Sequence, residues 1–205
     1  MVSSTDIANF ALTRLGANRI LSFSDATNEA IVMNLFYDTT RKMALESYGW
    51  SFALKRASLA SSTTAPAFGF SNAYNLPADF LSLRQVSEYY PPYWYDTIQN
   101  SEQQHYVIEN NQILTNLEAP LKIFYVFNQE DTTRYSQAFV RYLSILLAYD
   151  ACEEITQSNT KKQLLEKEAD QALKKAIAFD RMQKPPEPIA DSSWIDSRRN
   201  FYGGF

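Results

Sequence analysis

The side chains able to do chemistry are few, and their spacing argues against a built catalytic centre. His105 is the only histidine among 205 residues, and Cys152 is the only cysteine. One histidine leaves no multi-histidine metal site and no metalloprotease helix. A serine–histidine–carboxylate triad would need a serine on a nucleophile elbow, and no serine stands in that motif. His105 therefore reads as an exposed loop residue ahead of a strand. Cys152 stands beside Asp150 and Glu153. A nucleophilic thiolate needs an electropositive setting and a base, so this cysteine reads as a small core residue. Glu153-Glu154 are neighbours on a helix and point in different directions, which fits a solvated turn better than an acid–base pair. Lys161-Lys162 and Lys174-Lys175 alternate with Glu166 and Glu168 and read as one wet face. Asp79, Glu88 and Glu109 fall in one strand-rich stretch. They are the carboxylates that a hydrolase could pair across a cleft, but nothing in their spacing brings them together. Five glycines supply neither GxGxxG nor a Walker A loop. No catalytic residue, no cofactor and no metal ligand is expected.

A net charge of −4 argues against gripping nucleic acid by phosphate neutralisation, which needs clustered Lys and Arg. A single cysteine excludes a disulfide framework and a multi-cysteine zinc site. No run approaches the apolar length of a membrane span. Met1-Val2-Ser3-Ser4-Thr5-Asp6 lacks the basic start and apolar run of a signal peptide. The expectation is a reducing, aqueous compartment.

The elements that would position any site centre on residues 134–184. Tyr135, Ala138, Phe139, Tyr142, Leu143, Leu146 and Tyr149 follow one helical face. Ile145, Leu147 and Ala148 carry apolar surface onto the others, as in a buried helix. Thr160-Lys161-Lys162-Gln163 has the form of a capping box. Leu165, Ala169, Ala172, Ala176 and Phe179 then make a narrow stripe, small in the middle. This predicts an antiparallel helix pair, one central and one flanking, joined near Ser158-Asn159 and stopped by Pro185-Pro186. At the other end, Ser3 to Asp6 offers an N-cap, and Ile7 to Leu15 a short helix closed by Gly16. A second helix is expected from about Asp25 to Glu46, with Ile31, Leu35, Ala44 and Leu45 among its apolar positions.

Between the pairs, Trp50 to Arg56 alternates as a strand would, and residues 60–72 read as a loop. Leu76-Pro77-Ala78-Asp79 turns into a strand through Leu81, Leu83 and Val86. Tyr106 to Glu109 and Gln112 to Thr115 flank Asn110-Asn111 as a hairpin. Residues 121–127 form a further strand. The predicted class is α+β: a four-helix layer from both chain ends, with a small antiparallel β module inserted between helices 2 and 3. The divisions are 1–49, 50–130 and 131–184, followed by an extended C-terminal arm, 185–205.

Two stretches resist a purely structural reading. Residues 89–95 are aromatic except for Pro91 and Pro92. Their rings, Tyr90, Tyr93, Trp94 and Tyr95 among them, either pack back onto the strands or form a contact surface. The arm carries Trp194, Ile195, Arg198, Arg199, Phe201, Tyr202 and Phe205, residue types that anchor interfaces. Fully extended it would span on the order of 70 Å.

The chain resembles the tail tubular protein A family, the head-to-tail connector adaptors (gatekeepers) of short-tailed bacteriophages. Leu15-Gly16-Ala17 with Ile20-Leu21-Ser22-Phe23-Ser24-Asp25 looks like that family's first helix end and linker. Tyr48-Gly49-Trp50-Ser51-Phe52 is similar to its Gly-Trp-x-Phe, and Leu76 to Leu83 to its Leu-Pro-x-Asp-Tyr-Leu, with Phe80 for tyrosine. Gln112-Ile113-Leu114 and Gln137 to Tyr142 correspond to a hairpin strand and the third helix. The likeness covers most of residues 5–185 and rests on the order of the motifs, each of them weak alone. It implies a structural ring of twelve subunits between a portal protein ring and tail nozzle (tail tubular protein B-like) subunits. DNA would pass through without specific binding, and no membrane is involved. The arm would contact the portal, and Tyr90, Tyr93, Trp94 and Tyr95 the nozzle or a neighbour. The competing readings are a tail-associated cell-wall hydrolase and a non-viral protein-interaction module.

Overall fold

A computed structural model describes residues 2–86 and 106–183. The chain is α+β, with four α-helices and two three-stranded antiparallel sheets among the described residues. Helix α1 spans Ser4–Leu15. Its capping box is formed by Ser3 and Asp6, each side chain bonding the other's backbone amide. Gly16 closes it in the left-handed region at φ 74°, where a side chain would be strained. Helix α2 spans Asn28–Glu46. It starts later than its apolar pattern suggested, because the Thr27 hydroxyl caps Ala30 while Asp25 turns back to accept from Leu21 and Ser22.

Helix α3, Gln137–Thr156, is buried over most of its circumference. Each of the other three helices packs on it, as expected for the central member. Cys152 lies in its core-facing surface, fully buried. Helix α4, Asn159–Met182, is capped by Ser158 rather than by a box on Thr160. Leu165, Ala169, Ala172 and Ala176 of its small stripe are buried, so α4 lies close against α3. Phe179 is not: it is 47 % exposed, and Asp180 takes the next buried place. The Asp180 carboxylate accepts from both the amide (3.0 Å) and the hydroxyl (2.6 Å) of Ser51. A polar anchor thus replaces the expected apolar one.

That anchor also explains a second difference. Trp50 to Arg56 is not one strand. Ser51–Ala53 coils into a single 3-10 turn, and β1 runs Leu54–Leu59. The remaining strands are β2 (Asn72–Asn75), β3 (Phe80–Val86), β4 (Tyr106–Glu109), β5 (Gln112–Thr115) and β6 (Leu121–Phe127). Strand β2 arises at the edge of the stretch read as a loop and a turn, and it creates the second sheet. One sheet is ordered β1-β6-β3 and the other β2-β5-β4. The β4–β5 hairpin turns on Asn110 and Asn111, both at positive φ (45° and 59°). The sheets enclose Tyr74, Leu76 and Ile113 against Val86, Leu121, Ile123 and Tyr125. A larger core fills the helical layer, and Val126 of β6 belongs to it. Strand β6 therefore touches both cores.

Candidate functional site

The described residues offer two contrasting polar assemblies: a buried joint between helices and sheets, and an open groove between helices. The joint is built on Arg41 of α2, which is only 3 % exposed. Its guanidinium donates to the Asn128 side chain (2.8 Å), the Gln129 carbonyl (2.8 Å) and the Asp38 carboxylate (2.6 Å). Two hydrogen bonds, from Lys42 and Arg41, outweigh desolvation and hold the Asp38 carboxyl below its ordinary range. Tyr135 adds its hydroxyl to the same Gln129 carbonyl at 2.6 Å.

Beside it lies an aromatic cluster from the Tyr48–Phe52 stretch. Trp50 is fully buried and donates its indole N–H to the Ala44 carbonyl. Its ring meets Phe139 edge-on at 5.0 Å, and Phe52 meets the same ring at 5.0 Å. A second link across α2 and α3 is the Thr40 hydroxyl on Asp150, 2.5 Å. Burial raises the Asp150 carboxyl, and this hydrogen bond only partly opposes it.

The carboxylates weighed for hydrolysis part company. Asp79 accepts from Lys55 (2.7 Å) and the Tyr125 hydroxyl (2.9 Å), on the sheet that holds β6. Burial pushes its carboxyl up, and these two donors more than reverse it, leaving it below the usual value. Glu109 ends β4 in the other sheet and is exposed. Glu88 lies outside the described residues, as does His105. Among the described residues no cluster of histidine, cysteine or acid side chains is suited to a metal ion. No described helix is long and apolar enough to cross a membrane.

The groove runs between α1, α3 and α4, with a volume of about 250 Å³. Arg14, Arg141 and Lys175 supply its positive rim, Glu168 and Gln171 join it from α4, and Ala138, Ile145 and Ala172 also line it. Glu168 pairs with Arg14 at 3.4 Å. Arg141 and Lys175 enter no ion pair among the described residues. Of the two lysine pairs expected to be balanced by Glu166 and Glu168, Lys161-Lys162 is used otherwise. Lys161 donates to the last carbonyl of α1, Leu15, at 2.7 Å. Lys162 pairs with Glu153 at 2.7 Å, which keeps that carboxyl low. Sequence reasoning missed this groove, since it forms only where α1, distant in the chain, packs beside α3 and α4.

Apolar side chains also stand outside both cores. On α2, Ile31 is 61 % and Leu35 69 % exposed, although both fit the helix's apolar pattern. Phe10, Leu21 and Phe68 are likewise exposed. The residues assigned to portal contact, Trp194, Ile195, Arg198, Arg199, Phe201, Tyr202 and Phe205, lie outside the described residues. So do Tyr90, Tyr93, Trp94 and Tyr95.

Comparison with models of known protein families gives no match, and comparison with curated proteins gives none either.

Proposed function

We propose that this protein is a structural head-to-tail adaptor of a bacteriophage virion. In this reading it forms a ring that joins the portal to the tail nozzle and surrounds the DNA exit channel, and it is not an enzyme. The observation that carries the reading is the position of the family-like residues. Trp50 and Phe52 converge on Phe139, and the Asp79 carbonyl accepts from Asn128 at 2.7 Å. Three of the stretches that look like the tail tubular protein A family, around Trp50, Asp79 and Phe139, thus meet where helices join sheet. A likeness concentrated there is a likeness of scaffold. The engagement of Asp79 by Lys55 and Tyr125 weighs against a paired-carboxylate hydrolase.

The physical logic of a ring is also served. A subunit of net charge −4, repeated around a channel, would give a lumen that can repel a passing duplex. Heterologous rings need two different faces on each subunit. In this reading the exposed Ile31 and Leu35 on α2 and the groove between α1, α3 and α4 would serve as two such faces. The arm, through Trp194 to Phe205, would anchor each copy on the portal. Tyr90, Tyr93, Trp94 and Tyr95 would meet the nozzle or a neighbouring copy.

Native mass spectrometry of the full chain with its cognate portal ring tests this. The expected result is one portal ring carrying a matching set of these subunits. No association at any salt concentration would sink the adaptor reading. Attachment that survives deletion of residues 188–205 would remove the anchoring role of the arm.

A further inference from the structure

The groove between α1, α3 and α4 carries positive charge that the described fold does not neutralise. Arg14 shares its charge with Glu168, while Arg141 and Lys175 have no ion-pair partner among the described residues. The α4 side of the groove has a continuation. Glu168, Ala172, Lys175, Phe179 and Met182 recur at steps of four, three, four and three, so they form one row along the helix. The last two are apolar and open, Phe179 at 47 % and Met182 at 82 % exposure. One track therefore leads from the end of α4 over apolar surface to two unpaired cations.

The sequence that follows α4 has the complementary composition. Glu187, Asp191 and Asp196 recur every four or five residues, with Pro188, Ile189, Trp194 and Ile195 between them. We propose that residues 187–196 of the same chain turn back at the end of α4 and dock along this row. Their carboxylates would pair with Lys175 and Arg141, and their apolar side chains would cover Phe179 and Met182.

The lengths agree. Lys175 lies roughly 10 Å back along α4 from Met182. The five residues from Met182 to Glu187 span up to about 17 Å when extended. The nine residues to Asp191 span about 30 Å, enough to reach Arg141. Tethering gives the chain's own segment an effective concentration on the order of millimolar, which favours it over the same segment of another copy. Duplex DNA fits less well, because Glu168 lines the groove itself and Glu166 and Asp170 stand close by on α4. The inference goes beyond the adaptor reading and needs no portal: it concerns the free chain. If the arm also anchors assembly, this docking is exchanged for the portal contact.

Zero-length carbodiimide cross-linking of the full chain at low salt, read by peptide mass spectrometry, tests the docking. Light and isotope-labelled protein are mixed beforehand. The Lys162–Glu153 pair, 2.7 Å apart, is the internal control. The expected products join Lys175 to Glu187 or Asp191 within one copy. Their yield falls at least about threefold in Arg141→Glu, and equally in about 0.5 M salt, where charge pairs are screened. A formed control with no link from Lys175 to residues 187–196 overturns the proposal. Mixed light–heavy products in the majority overturn it too, because the segment then belongs to another copy. So does an Arg141→Glu variant that cross-links as well as the parent. Duplex DNA that shields Lys175 from acylation while the link is absent would assign the groove to nucleic acid instead.

Discussion

Arg41 and Arg141 make the most instructive pair of residues in the molecule. Both are helical arginines, and both border the central helix or belong to it. Arg41 is enclosed, with a carboxylate, a carbonyl and an amide oxygen on its guanidinium. Arg141 stands at the edge of a groove, exposed and without an ion pair among the described residues. The first charge is part of the fold, because removing it would strand acceptors where water has little access. The second contributes little to folding, since an exposed cation interacts weakly in water. One arginine holds helices to sheets, and the other leaves the surface free to recruit something negative.

The sharpest way to break this contrast is Arg41→Ala. The Asn128 side chain and the Gln129 carbonyl lose their donor, and a buried guanidinium volume empties. Leaving these two acceptors without that donor costs about 2 kcal/mol, since Asp38 itself is largely exposed and regains water. Chemical denaturation should show the midpoint falling by that equivalent. The loss should be cooperative, because Arg41 joins α2 to the segment after β6. A loss under about 1 kcal/mol would mean that water replaces the guanidinium freely, and the joint would not be the buried hub described above.

Much of this joint was legible in the sequence as elements, but not as contacts. Gly16, Asn110-Asn111 and the apolar periodicity of α3 specify local conformation, and each leaves its mark within a few residues. The turn at Ser51 does not. Trp50-Ser51-Phe52 alternates like a strand, and only Asp180, 129 residues away, satisfies the Ser51 amide and hydroxyl in a 3-10 geometry. The same contact decides the phase of α4. After Ala176, both Phe179 and Asp180 continue a helical face, at three and four residues on. Composition favours the phenylalanine, and the Ser51 amide and hydroxyl select the aspartate. The groove was illegible for a related reason: Arg14, Arg141 and Lys175 each look like solvated helix charges until α1, α3 and α4 are packed. Strand β2 escaped because its four residues begin and end in asparagine, a residue depleted in strands.

A smaller effect is expected at the second polar tie, Asp79, and it has a sign in pH. Lys55 and Tyr125 hold its carboxyl below the ordinary value in the folded state, against the effect of burial. A depressed carboxyl stabilises the fold above its unfolded pKa, near 4. That contribution fades as pH falls through the lower folded value. Asp79→Asn should therefore cost about 1 kcal/mol at pH 7, a figure limited by solvent screening of a side chain one-third exposed. The difference between variant and parent should shrink as the pH falls below that unfolded value. Asp150 has the opposite sign. Burial raises its carboxyl, so it disfavours folding as pH rises through its unfolded value, and removing it would not flatten the acid limb. Urea titrations of the Asp79→Asn variant across that range separate the two groups.

The smallest expected effect completes the contrast with Arg41. Arg141→Gln keeps a polar side chain of similar helical preference and removes the charge. An exposed arginine without an ion-pair partner contributes within about 0.5 kcal/mol, so the denaturation midpoint should stay close to that of the parent at low salt. The charge it removes is nonetheless one of the two in the groove that no described residue pairs with. Its loss should lower the electrostatic attraction of the groove for acidic segments while the scaffold stays intact. A midpoint shift comparable to that of Arg41→Ala would mean that Arg141 is held in a structural pair, and the groove would then be part of the fold's own interior bonding.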